Sequence, residues 1–172
     1  MRCSALAVLL VVSSAAPVLA QAAGKPAKST ATTDTAYRSM QHRGGMAMGV
    51  DQYTSTHKFD ALPTGGRIEL QRDNDDAKGV ATIRAHIRGI AKAFKSGDFS
   101  TPAFVHMKDV PGAKVMREKR GVINYQPRDL PREAELVIRT KDAAAIEAVH
   151  EFMAFQRGEH HSGGMEGMKH TP

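Results

Sequence analysis

The run GEHHSGGMEGMKH (Gly158 to His170), just before the final Thr171 and Pro172, holds His160, His161, Met165, Met168 and His170, with glycines between them and almost nothing to bury. A second cluster, MQHRGGMAMG (Met40 to Gly49), supplies His42, Met46 and Met48 nearer the start of the chain. Thioether sulfur is a soft, neutral ligand that suits Cu(I) and Ag(I) and serves Zn(II), Mg(II) or Ca(II) poorly. Imidazole accepts Cu(I), Cu(II) and Zn(II). Met46-x-Met48 places two sulfurs on one side of an extended segment, and Met165-x-x-Met168 brings two together on a turn. The glycines let backbone wrap an ion at no steric cost. Of the nine methionines, leaving out Met1, five of the remaining eight (Met40, Met46, Met48, Met165, Met168) lie in these flanks. Core filling, the ordinary use of methionine, does not explain that distribution. The expected ligand is copper, chiefly Cu(I), with Cu(II) or Ag(I) as alternatives. The competing reading is a tail in which these residues drift or act as oxidant sinks.

The middle of the chain carries four more histidines. His86 borders the apolar stripe of one helical pattern, and His150 lies on that of another, with Met153 one turn on. His106 and Met107 follow the first pattern in what reads as a loop, and His57 precedes it. Two helices packed side by side could bring His86 and His150 together beneath that loop, giving an ordered copper site. The competing reading for each single histidine is a satisfied structural role on an apolar face.

Catalytic motifs do not emerge. HEFMA (His150 to Ala154) begins like the zinc-protease helix H-E-x-x-H, but Ala154 stands where the second histidine belongs. There is no nucleophile elbow and no phosphate loop. Cys3, the single cysteine, falls in the opening segment. The expectation is a protein that is not an enzyme.

That opening segment, residues 1–20, reads as a secretory signal peptide. Arg2 precedes the apolar run LAVLLVVSSAAPVLA, and Val18-Leu19-Ala20 fits a cleavage site, with Ala22 as an alternative. The run is short for a membrane span, so a periplasmic or secreted protein without stable membrane insertion is expected. The formal net charge is +6, but the basic residues are scattered and carry no nucleic-acid recognition pattern.

Residues 21–55 read as a flexible leader, 56–157 as the folded domain and 158–172 as a flexible tail. Within the domain, Arg67 to Gln71 alternates like a half-buried strand. Val80, Ile83, Ile87, Ile90 and Phe94 recur at helical spacing, after the acidic run Asp73 to Asp76 and before Gly97. Ser100 to Gly112, punctuated by two prolines, reads as a loop. Val122 to Gln126 and Glu135 to Thr140 read as strands of a hairpin joined by PRDLPRE. Ile146, Val149, His150 and Met153 stripe a second helix, which Gly158 is expected to stop. The predicted fold is α+β, a small antiparallel sheet with two helices packed on one face.

One further pattern spans roughly residues 56 to 161: THKF (Thr56 to Phe59), Gly65-Gly66, IRAH (Ile83 to His86), GDF (Gly97 to Phe99), PAF followed by His106, Pro111-Gly112, and AVHEFMAFQ with His160. In this it resembles a family of small exported bacterial proteins of unknown function, often with His- and Met-rich ends. Members sometimes carry the label aspartate carbamoyltransferase, whose Ser-Thr-Arg-Thr-Arg phosphate loop is absent here. The resemblance implies that His57, His86, His106 and His150 recur as a set, and it supplies no catalytic residue. Together these observations predict a periplasmic protein that sequesters Cu(I) or Ag(I), or passes it to a copper exporter or oxidase in copper tolerance. Two alternatives stand beside it: a non-catalytic interaction domain with non-specific tails, and a small metal-dependent hydrolase.

Overall fold

In the computed structural model, which describes residues 30–162, the chain forms five helices and a four-stranded antiparallel sheet. In chain order these are α1 (Thr30–Met48), β1 (Ser55–Leu62), β2 (Gly65–Arg72), α2 (Ala77–Ser96), α3 (Ser100–His106), α4 (Ala113–Glu118), β3 (Asn124–Leu130), β4 (Glu133–Arg139) and α5 (Ala143–His160). The signal-like segment, Met165, Met168 and His170 lie outside the described residues. No helix among the described residues is long and apolar enough to cross a membrane.

Two hairpins, each followed by helix, build the domain. The sheet order is β1-β2-β4-β3, so the hairpins meet along β2 and β4. α5 lies over β1 and β2, and α2 lies over β3 and β4. Register puts Gly66, Ile138 and Tyr125 in one row across the sheet. α5 meets that row at Gly66, and Phe94 of α2 meets it at Tyr125. Both helices therefore cover the same face, as the sequence predicts. The core lies between, centred on Ile83, Phe94, Leu70, Leu136, Ile138, Phe152 and Met153. The opposite face carries a charge ladder: Lys58 with Glu69 at 2.7 Å, Arg67 with Asp60 at 2.6 Å and Arg128 with Glu135 at 3.3 Å. Those three carboxylates are buried beneath the long stems of their partners.

The helix signals behave as expected. Gly97 adopts φ 83° and its N–H closes the end of α2 on Ala93 and Phe94. Asp142 caps α5 by accepting from the Ala145 N–H at 2.9 Å. Several expectations need correction. Residues 30–48 of the supposed flexible leader are α1, whose buried positions Met40, Gln41, Gly44 and Met48 form a stripe at helical spacing against the domain. β1 carries little sequence signal, because the residues it turns inward, His57, Phe59 and Ala61, include only one strong apolar side chain. Ser100–His106 is helix rather than loop: Pro102 falls in its first turn, where no intrahelical N–H is needed. The segment read as the link between the last two strands is mostly strand. Pro127 sits on the edge strand β3, and the turn is only Pro131-Arg132, with Arg132 at φ 55°.

α5 also runs past Gly158 to His160 and ends at His161, in the left-handed region. Gly66 allows the helix its close seat: a Cβ there would come within 2.9 Å of Val149 and 2.7 Å of Met153. On the other side Gly112, at φ 76°, presses on the backbone of α5, and a Cβ would meet the Ala148 carbonyl oxygen at 2.0 Å. Gly112→Ala should therefore lower unfolding free energy by about 2 kcal/mol or more in urea titration. Gly89→Ala, in the exposed middle of α2 with open space around it, should raise it by about 0.5–1 kcal/mol.

Candidate metal centre

Five elements end or pass at one chamber. β1 brings His57, α2 His86, the last residue of α3 His106, the last residue of α5 His160, and the last residue of α1 Met48. The remaining wall is mostly apolar, including Phe59, Ile68, Ile87, Ile90, Phe94 and Phe152, and no lining residue is Asp, Glu, Lys or Arg. The space measures about 80 Å³, room for an ion or a few waters.

Each ring has a distinct setting. His106 is buried, and its Nε2 lies 2.9 Å from Gln156 Oε1. With that amide oxygen accepting, Nε2 carries the proton and Nδ1 keeps its lone pair. That Nδ1 is buried without a hydrogen-bond partner, 3.7 Å from a Glu159 carboxylate oxygen. The His86 ring donates to the Ala47 carbonyl of α1. His57 stacks on Phe59 with ring centroids 5.6 Å apart. His160 sits between its neighbours, 5.2 Å from His57 and 5.2 Å from His106, centroid to centroid. Two imidazoles sharing a tetrahedral ion, with each nitrogen about 2 Å from the metal, have centroids on the order of 5 Å apart. The nitrogens do not yet converge: among the described residues no three His, Cys, Asp or Glu side chains are placed to hold one ion. Turning the rings about their χ angles is the adjustment binding requires.

All four rings are held neutral. Burial, then the nearby His160 and His86, pushes His57 from 6.5 down to about 3. Burial, then His106, pushes His160 down to about 4. Burial also lowers His86 and His106, against the opposing hydrogen bonds from Ala47 and Gln156. A neutral imidazole offers a lone pair where an imidazolium offers none.

The sequence expectations divide around this chamber. His57, His86 and His106 meet there, as does Met48. His150 does not line it; its Nε2 lies 2.8 Å from the Leu62 carbonyl oxygen, a backbone partner that gives this ring a structural role. His160, assigned to the tail, takes the place expected of His150 because α5 extends one turn further. Met153 is fully buried core against Gly66. Met107 is 69 % exposed, turned away by a left-handed backbone at φ 52°. His42 and Met46 are exposed on the outer side of α1, away from the chamber, and His161 is exposed at the end of α5. Gln156, one turn before His160 and partner of His106, escaped sequence reasoning. Its only signal is a glutamine on a stripe otherwise apolar.

Compared with known proteins, the chain matches no protein-family model, no curated protein and no solved structure.

The neutral rings make stability depend on pH in a definite direction. The unfolded chain protonates these histidines near 6.5, whereas folded His57 and His160 resist until about 3 and about 4. Between those limits the unfolded state binds more protons, so stability falls as pH falls. The thermal midpoint of the metal-free protein should drop by roughly 5 °C or more between about pH 7 and about pH 4.5. In His57→Phe, which keeps the stacking surface, the drop should be smaller. Calorimetry across that range checks both.

Proposed function

We propose that the protein binds Cu(I), or Ag(I), in the chamber of His57, His86, His106, His160 and Met48, and serves in the periplasm to sequester the ion or pass it to an exporter or oxidase. The observation that carries this reading is the donor set: four neutral imidazoles and a thioether in an apolar chamber whose lining holds no charged residue. The nearest carboxylate, Glu159, lies outside the lining, 3.7 Å from His106 Nδ1 and paired with Lys108 at 2.8 Å, so the two charges of a divalent ion would be incompletely offset there, which is costly in low dielectric. A monovalent soft ion brings one, and its bonds to nitrogen and thioether sulfur are favourable. Methionine and neutral histidine also bind without losing a proton, so loading releases none. Glu159 is paired with Lys108, which leaves no free carboxylate among the lining residues to serve as the general base a metal-dependent hydrolase needs beside the ion.

The ligands outside the chamber have a second part in this reading. His42 and Met46 on α1, and His161, Met165, Met168 and His170 at the C-terminal end, form the weaker, faster-exchanging set that captures ions from dilute solution.

Anaerobic titration against a chromophoric Cu(I) chelator tests the assignment. The protein should compete for at least one tightly held Cu(I). His86→Ala with His106→Ala should weaken that site by roughly tenfold or more, about 1.4 kcal/mol. His150→Ala should leave it unchanged, and joint replacement of Met165, Met168 and His170 by Ala should remove only weaker binding. If the chamber variants bind as the unaltered protein does, the rings are structural, consistent with the partners His86 and His106 already have. If nothing competes with the chelator, the copper reading fails altogether.

A further inference from the structure

A second concavity adjoins the chamber. It is polar, about 340 Å³, and opens between α1, the start of β1 and the end of α5. Three residues line both spaces: Gln52, His57 and His160. The two rings therefore form a wall with the chamber on one side and the cleft on the other. At the mouth stands His161, exposed at the end of α5, its ring stacked on Tyr37 of α1 at 4.5 Å and within 5° of parallel. Tyr37 is steadied by Gln41, whose amide donates to its hydroxyl. The Oε1 of the same Gln41 is buried without a hydrogen-bond partner.

We infer that this cleft is the port of the chamber, and that His161 is an outer metal ligand that hands Cu(I) or Ag(I) to His160 and so to the interior set. The inference rests on the chamber being the binding site. A soft monovalent ion is poorly served by an apolar wall, so it crosses by exchange from one donor to the next. The rings supply that succession. His161 is covalently adjacent to His160, and His160 is 5.2 Å from both His57 and His106. The neighbouring groove that carries His42 and Met46 meets the chamber only at Gln52, which offers neither a ring nitrogen nor a thioether for exchange. The Tyr37 stack holds the His161 ring at the mouth. α1 lines both spaces, with Tyr37 and Gln41 on the cleft, and Gly44, Ala47 and Met48 on the chamber.

The port predicts a kinetic role separable from affinity. In stopped-flow transfer from a chromophoric Cu(I) chelate to the whole protein, His161→Ala should slow loading roughly fivefold or more. The equilibrium Kd should stay within about twofold. Tyr37→Leu, which keeps bulk but removes the stacked ring, should change the loading rate and spare the Kd. Both variants are at exposed or half-buried positions, and thermal midpoints near the unaltered value would confirm that the fold is kept. Loading by His161→Ala at the unaltered rate would overturn the port while leaving the chamber as the binding site. A loss of affinity equal to the loss of rate would make His161 an equilibrium ligand and also overturn it. A protein that takes up no Cu(I) removes the chamber and the port together.

Discussion

α5 can lie on the sheet at the distance it does because position 66 has no side chain. Val149 and Met153 occupy the volume where a Cβ and its branches would stand. Behind the helix, Gly112 presses equally close to the Ala148 carbonyl. Held between two glycines, α5 has little freedom to slide or tilt. Its last turns carry Gln156, Arg157 and His160 to fixed positions above β1. Arg157 then donates to the Phe59 carbonyl at 2.8 Å, occupying backbone on an edge strand that would otherwise be open.

That geometry sets the chemistry. Imidazole is usually a surface switch near neutral pH. Here burial removes the switch and leaves four neutral rings with lone pairs in a space with apolar walls. The fold loses stability by keeping them neutral as the medium acidifies, because the unfolded chain can protonate and the folded one cannot. Fold and site thus oppose each other: the arrangement that suits a soft monovalent cation is one that folding alone would not favour. Two of the four rings offset part of this cost through hydrogen bonds to Gln156 and the Ala47 carbonyl.

α1 links the two sides of the proposed function. Its inner stripe closes the chamber and supplies Met48, and its outer side presents His42 and Met46 to solvent. It is tied down by the Arg43 side chain, which donates to the Val105 carbonyl at 2.8 Å, and by the fit of Gly44 against the Gln52 side chain. The three methionines described here in the leader therefore divide. Met40 and Met48 are buried, and Met46 is 57 % exposed. Composition alone had grouped them.

Much of the domain was legible in order of residues. α2 announces itself through the period of Val80, Ile83, Ile87 and Phe94 and the stop at Gly97, because those are local rules of one helix. The α+β class and the face shared by α2 and α5 followed from the same periodicity. α1 and β1 were not legible, since Gly44 interrupts the stripe of one and His57 the apolar pattern of the other. Both make sense only against residues distant in the chain. The set of histidines at the chamber was also half visible: residue types named His57, His86 and His106, but put His150 in the place that His160 takes. That outcome depends on α5 running past Gly158 to His160 and on its close seat at Gly66 and Gly112. Sequence by itself determined which donors the protein owns and which helices would bear them. Tertiary structure decided which of them face one another and that burial keeps them uncharged, because both depend on contacts between residues far apart along the chain.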